Sequence, residues 1–119
     1  MKRILICGLP GSGKTTLATR LVEVIGNADL YNADEVREKF KDWDFTPEGR
    51  ERQMKRMQDY VRKSVAKDRY GVADFICPTH ELRLKFMPEY VIWMNTIDES
   101  EYEDTNKIFE SPNGLSNVE

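Results

Sequence analysis

The residues with the clearest chemistry lie near the amino end. Gly8-Leu9-Pro10-Gly11-Ser12-Gly13-Lys14-Thr15 fits the pattern G-x-x-x-x-G-K-[ST], with an apolar run before it and a helical pattern after it. Glycines here let backbone N–H groups turn inward around phosphate oxygens, and the N-terminus of the next helix adds partial positive charge. In such a loop the lysine reaches the β- and γ-phosphates and the threonine hydroxyl ligates Mg²⁺. The loop therefore predicts binding of ATP, or another nucleoside triphosphate, with Mg²⁺. An ordinary glycine-rich turn would not require all the fixed residue types together with both flanks.

Three further positions carry charge or polarity where chemistry could use it. Asp34 stands just beyond the second predicted strand. A carboxylate there could bind Mg²⁺ through water or accept a proton from an acceptor hydroxyl, or it could merely open the next helix. Asp74 lies inside the third predicted strand. It resembles the acidic residue of a Walker-B strand, although a paired structural charge is the reading preferred from pattern. Arg50 and Gln53 share one helical face with Met54, Met57 and Val61, so they extend an inward face at the helix start. A cation in a first turn opposes the helix dipole by ~0.3–1 kcal/mol, which a bound anion would offset. His80, the one histidine, reads as a solvated residue at a helix start, and Tyr90 and Trp93 read as packing.

The elements that must position these residues alternate between strand and helix. Residues 2–7 read as a strand, with a continuous apolar run over Ile4-Leu5-Ile6-Cys7 as in a strand buried on both faces. A helix with Leu17, Leu21, Val24 and Ile25 on its stripe follows, ending at Gly26. Ala28 to Tyr31 is a short strand. Ala33 to Lys41 is a helix with Val36 and Phe40 inward, and the loop Asp42 to Thr46 carries Trp43 and Phe45. Thr46 and Pro47 open a long helix running toward Gly71. Val72 to Cys77 is a third strand, Thr79 to Met87 a short capped helix, and Tyr90 to Met94 a fourth strand. This alternation predicts an α/β fold: an open parallel sheet of about four strands, order 2-3-1-4, with helices on both faces. Ligands in such sheets bind at the carboxyl ends of the strands.

The chain of 119 residues suits a single domain, 39% apolar and 33% charged. A net charge of −3 gives no basic face for nucleic acid. No apolar run approaches the ~20 residues of a membrane span, and the start is a poor signal peptide. A cytoplasmic protein is expected, with Cys7 and Cys77 as reduced, buried thiols. From Phe86 onward there are eight acidic residues and one basic, Lys107, so residues 95–119 read as a reduced lid or C-terminal segment.

Four segments carry a family likeness over roughly residues 4–95: the phosphate loop extended by Thr16; Asn32-Ala33-Asp34-Glu35-Val36-Arg37; Trp43-Asp44-Phe45-Thr46-Pro47-Glu48-Gly49-Arg50 with Gln53 and Arg56; and Phe75-Ile76-Cys77-Pro78 with Arg83. Together they resemble adenosine 5′-phosphosulfate kinases (adenylyl-sulfate kinases). The resemblance implies a P-loop kinase that transfers the γ-phosphoryl group of ATP to the 3′-hydroxyl of adenosine 5′-phosphosulfate. It assigns Lys14 and Asp34 to catalysis, Thr15 and Asp34 to Mg²⁺, and the loop from Gly8 to Thr16 to ATP. It places Phe45 on the substrate adenine and Arg37 and Arg50 on the phosphosulfate region, with Gln53 where the family has Asn. Asp34, the backbone of Ile76, Cys77 and Pro78, and Arg83 complete the acceptor side. Phe109 and Pro112 resemble a segment beside the ATP adenine.

Beyond Gln53, the sequence departs from that family in three further ways. Asn32 replaces the first acidic residue of Asp-Gly-Asp, Cys77 replaces Ser, and the basic lid is largely missing. Two rivals follow: a P-loop kinase of another small hydroxyl compound, such as gluconate or a nucleoside, and a nucleotide-binding module without turnover. Open sheet edges also invite association, so a homodimer is an expectation.

Overall fold

The computed structural model describes residues 2–9, 11–94 and 103–110. Its frame is a parallel sheet of four strands, β1 (Arg3–Cys7), β2 (Ala28–Asn32), β3 (Tyr70–Asp74) and β4 (Tyr90–Trp93), in the expected order β2-β3-β1-β4. The helices are α1 (Lys14–Ile25), α2 (Ala33–Phe40), α3 (Pro47–Ala66), α4 (His80–Phe86) and α5 (Glu103–Ile108).

Alternation along the strands divides the core into two layers. Ile4 and Ile6 of β1 pack with Ala18 of α1, Ala28 and Val72, while Leu5 and Cys7 point the other way, into a cluster with Met54, Met57 and Val61 of α3. Ile6, Leu5 and Cys7 are fully buried. A strand sandwiched between helices must be apolar at every position, which explains the unbroken run. Each buried large aliphatic side chain contributes ~1.5–3 kcal/mol. Arg3, ahead of that run, forks onto Glu89 with Nη2–Oε1 2.9 Å and Nε–Oε2 3.0 Å, pinning the start of β1 to the approach of β4.

The helix starts are locally encoded. Asn32 Oδ1 accepts from the Glu35 N–H (3.1 Å), Thr46 Oγ1 from Gly49 (3.2 Å) and Thr79 Oγ1 from Leu82 (3.2 Å). Each satisfies an amide the first helical turn leaves without a partner. Gly26 closes α1, its N–H donating to Val22 O at 3.0 Å.

Three boundaries and faces differ from the expectation. α3 stops at Ala66, because Asp68 adopts φ 59°, a left-handed turn that Asp tolerates. β3 consequently runs Tyr70–Asp74, earlier than the expected Val72 to Cys77, and Tyr70 pairs with Ala28. Beyond Asp74 the chain leaves the sheet, and Cys77 itself has φ 42°. Val24 is 74% exposed and not on the inner stripe; Val22 takes that place against the core. Phe40, expected inward, lies at the end of α2, 47% exposed, with the Arg56 guanidinium 4.6 Å from its ring centre. Among the described residues no helix is long and apolar enough to cross a membrane.

The loop between α2 and α3 is held close to α3 at Gly49. A Cβ there would stand 2.2 Å from Asp44 O and 2.5 Å from Asp44 Cγ. On an open helix surface Gly→Ala stabilises by up to ~1 kcal/mol. Here Gly49→Ala should instead destabilise by ~1–3 kcal/mol through overpacking, read as a lower urea midpoint with an unchanged slope. A stabilised variant would show that the loop is not pressed on α3.

Candidate active site

Three parallel strands end at one level, and the side chains at their ends meet. In β3, Tyr70, Val72 and Asp74 alternate onto the α1 side; in β2, Ala28, Leu30 and Asn32 do the same. Asn32 and Asp74 are register partners. Each apolar column thus finishes in a polar residue beside the first turn of α1. There Thr15 Oγ1 donates to Asp74 Oδ2 at 2.7 Å, and Asn32 Nδ2 donates to the same oxygen at 2.9 Å and to Thr15 Oγ1 at 3.3 Å.

The loop from β1 to α1 supplies the cationic side. Ser12 N–H donates to Leu9 O (3.2 Å), closing a turn. Gly13 caps α1 at φ 96°, a left-handed conformation that a side chain would strain. No side chain caps α1 and its first turn holds no acid, so its leading amides and the positive end of its dipole are left for an anion. Lys14 Nζ donates to Leu9 O at 3.1 Å. Burial pushes its ammonium below the ordinary lysine value, opposed by the charges of Asp74 and Asp34. Gly8 and Gly11 also take positive φ, Leu9 is buried and Thr16 is exposed in the first turn of α1. Pro10 and Pro112 lie outside the described residues.

These donors fit Mg²⁺ bound with a triphosphate. Among the described residues no group of three or more His, Cys, Asp or Glu forms a cation cage. Mg²⁺ usually keeps several waters and takes few protein ligands beside substrate phosphates. One hydroxyl, Thr15, against one buried carboxylate, Asp74, is such a set.

A cationic cradle forms where α2, the loop after it and α3 meet. Asp34 is exposed in the first turn of α2, and its charge acts on both Lys14 and Arg37. Arg37 and Arg50 are 5% and 7% exposed, and their guanidinium carbons lie 4.3 and 5.3 Å from the centre of the Phe45 ring. Arg37 Nη1 donates to the carbonyls of Asp42 (3.0 Å) and Asp44 (3.1 Å), and Arg50 Nε to that of Phe45 (2.8 Å). Burial, together with the neighbouring cations Arg50 and Arg56, holds Arg37 below its ordinary value. The Phe45 ring keeps 42% of its surface exposed, with Trp43 tilted beside it at 6.5 Å. Gln53 is buried, its Nε2 donating to Ala33 O at 2.9 Å.

Of the remaining residues expected on the acceptor side, Pro78 and Arg83 contact the segment 105–110. Ile76 is half-buried, Cys77 and Pro78 buried. Arg83, 2% exposed, spends Nε on Cys77 O (2.9 Å) and Nη2 on Pro78 O (3.2 Å), and Phe109 packs on its guanidinium at 5.2 Å. Glu110 N–H donates to Pro78 O at 2.6 Å, and Arg50 Nη2 to Thr105 Oγ1 at 3.2 Å. Burial raises the Cys7 thiol to about 11, and the Cys77 thiol is pushed well up for the same reason.

Of the two readings open for Asp74 in the sequence, a Walker-B-like acid and the preferred paired structural charge, the structure sets it against Thr15; the two-residue alternation from Val72 could have signalled its face. Asn32 registered only as a missing acid, and nothing in the sequence links Thr105 to Arg50.

Residues 4–88 match the family described as an AAA domain. No curated protein sequence matches the chain. Among solved structures, a protein titled APE1195 is 24% identical, with 89% of this chain and 64% of that one covered and a TM-score of 0.71. A sugar kinase from Janibacter sp. HTCC2649 is 14% identical over 99% of this chain and 83% of its own, TM-score 0.78. The Mycobacterium tuberculosis APS kinase CysC, in complex with AMPPNP and APS, is 17% identical over 89% of this chain and 66% of its own, TM-score 0.58. The chain thus spans somewhat less than two thirds of the length of the first and third of these proteins. At such identities the likeness shows the fold, an open parallel sheet of the P-loop kinase type.

Lys14→Ala should keep the fold, since among the described residues Lys14 Nζ bonds a loop carbonyl alone, yet lose most affinity for Mg·ATP. Calorimetric titration of both forms checks this, and equal affinities would overturn the assignment of the loop.

Proposed function

The chain belongs to the AAA domain family, and we propose that within it this protein is a Mg²⁺- and ATP-dependent phosphotransferase acting on the hydroxyl of a nucleotide-type acceptor, with adenosine 5′-phosphosulfate as that acceptor. The observation that carries the reading is the half-exposed Phe45 ring flanked by the guanidinium groups of Arg37 and Arg50. An aromatic face can take a base, and two cations beside it can take an anionic substituent.

The chemistry asked of the protein is positional and electrostatic. The loop amides and Lys14 hold the triphosphate and stabilise negative charge on the transferred group. Mg²⁺, bound with the nucleotide, would neutralise phosphate charge beside Thr15 and Asp74. Asp34 is exposed in the first turn of α2 and its charge acts on both Lys14 and Arg37, so its carboxylate can orient the acceptor hydroxyl and accept its proton. Arg37 and Arg50 fix the acceptor, and the backbone of Ile76, Cys77 and Pro78 with Arg83 forms the wall behind it.

A second reading, a sugar-type hydroxyl acceptor such as gluconate, is favoured by the closer geometric likeness to the sugar kinase. The two readings part at Phe45. Stacking is worth ~1–3 kcal/mol per base and a charge-assisted hydrogen bond ~1.5–3 kcal/mol. Phe45→Ala and Arg50→Ala should each weaken binding of adenosine 5′-phosphosulfate about tenfold or more while sparing ATP. If both bind the acceptor like the parent and gluconate is phosphorylated, the sugar reading replaces the first.

Turnover itself is tested by ADP release with and without adenosine 5′-phosphosulfate, at several protein concentrations. A slow kinase with appreciable hydrolysis is expected, because the acidic segment after Met94 offers only one cation, Lys107, to the transferring phosphate. ATP binding without any ADP release would identify a nucleotide-binding module instead.

A further inference from the structure

The polar triangle at the strand ends contains one residue that no catalytic role has claimed. Asn32 is the N-cap of α2, and its Oδ1 is committed to the Glu35 N–H at 3.1 Å. That bond fixes which way the side-chain amide faces: Nδ2 must point to the opposite side, where it lies 2.9 Å from Asp74 Oδ2 and 3.3 Å from Thr15 Oγ1. A donor facing Thr15 Oγ1 in turn leaves the Thr15 hydroxyl proton one place to go, Asp74 Oδ2 at 2.7 Å. Both of these donors meet the same carboxylate oxygen, and among the described residues no protein group hydrogen-bonds Oδ1.

We propose that Asn32 is a positioning residue for the divalent cation: it ties Asp74 through Oδ2, turns the Thr15 hydroxyl toward that oxygen, and leaves Asp74 Oδ1 and the free lone pair of Thr15 oriented for the ion and its waters. The residue type follows from the geometry. Asn, Asp and Ser all cap helices well. Of these, Asp has no donor to offer Asp74 and would bring like charges together, while Ser is too short to reach. Asn alone performs both tasks from position 32. The inference rests on the reading of Thr15 as the Mg²⁺ ligand.

The test uses binding rather than turnover. ADP is titrated into the parent and Asn32→Ser at a series of Mg²⁺ concentrations, and thermal melting of both, and of Asn32→Asp, is followed in chelator and in Mg²⁺ alone. Asn32→Ser keeps the cap and should melt within a few degrees of the parent, yet need about tenfold more Mg²⁺ for half-maximal ADP binding, the loss expected of a hydrogen bond to a charged group. Asn32→Asp should melt lower than the parent in chelator and be stabilised by Mg²⁺ without nucleotide, through the second carboxylate beside Asp74. An Asn32→Ser protein with the parent's Mg²⁺ requirement overturns the proposal, as does an Asn32→Asp protein indifferent to Mg²⁺. A parent that binds ADP at no Mg²⁺ concentration overturns the phosphate-loop reading instead.

Discussion

The hydrogen bond from Thr15 Oγ1 to Asp74 Oδ2 ties the first turn of α1 to the end of β3, across 59 residues of sequence. Its geometry depends on the sheet order, which sets β3 between β1 and β2 so that the loop leaving β1 passes over the neighbouring strand end. A buried carboxylate is costly unless it is hydrogen-bonded, and here two donors meet it from different elements. Phosphate loop, β2 and β3 are thereby held in one arrangement before any nucleotide arrives, which is the preorganisation that electrostatic catalysis requires.

The cradle of Arg37, Arg50 and Phe45 is built on a different balance. Arg37 and Arg50 are buried near each other and near Arg56, an arrangement that repels itself. Their donors are met largely by backbone carbonyls of the loop from Asp42 to Phe45, so that the loop carries the Phe45 ring between them. The loop is stiffened in turn by Asp42, which accepts from Arg52 and Arg56, and by Asp44, which accepts from the Thr46 N–H and from Arg52. These bonds hold Asp42 well below the carboxylate range and Asp44 at about 2. Concentrated cationic charge beside an aromatic ring destabilises the empty protein and favours an anionic ligand, the same trade found at many binding sites.

The segment 103–110 closes the wall behind this cradle. Thr105, Phe109 and Glu110 reach Arg50, Arg83 and Pro78 respectively. Phe109, which the family resemblance associates with the ATP base, packs on the buried guanidinium of Arg83. The arginine that the resemblance assigns to substrate is therefore packed beneath an aromatic ring, its Nε and Nη2 turned to backbone carbonyls.

The sequence by itself determined whatever depends on neighbours in the chain. The phosphate loop is a backbone device, legible from Gly8, Gly13, Lys14 and Thr15 without knowledge of the rest. The caps Asn32, Thr46 and Thr79 act on amides three residues ahead, and the apolar run of β1 announces burial on both faces. Tertiary structure decided whatever depends on which faces meet. Strand pairing of Tyr70 with Ala28, not hydropathy, set the start of β3, and that register put Asp74 on the α1 side opposite Asn32. Likewise Arg37 and Arg50 come from separate helices and meet at one ring only because α2 and α3 fold about the loop that Gly49 lets approach. Side-chain chemistry is written residue by residue, but the pairing of distant side chains is fixed by the packing of layers, which no local pattern records.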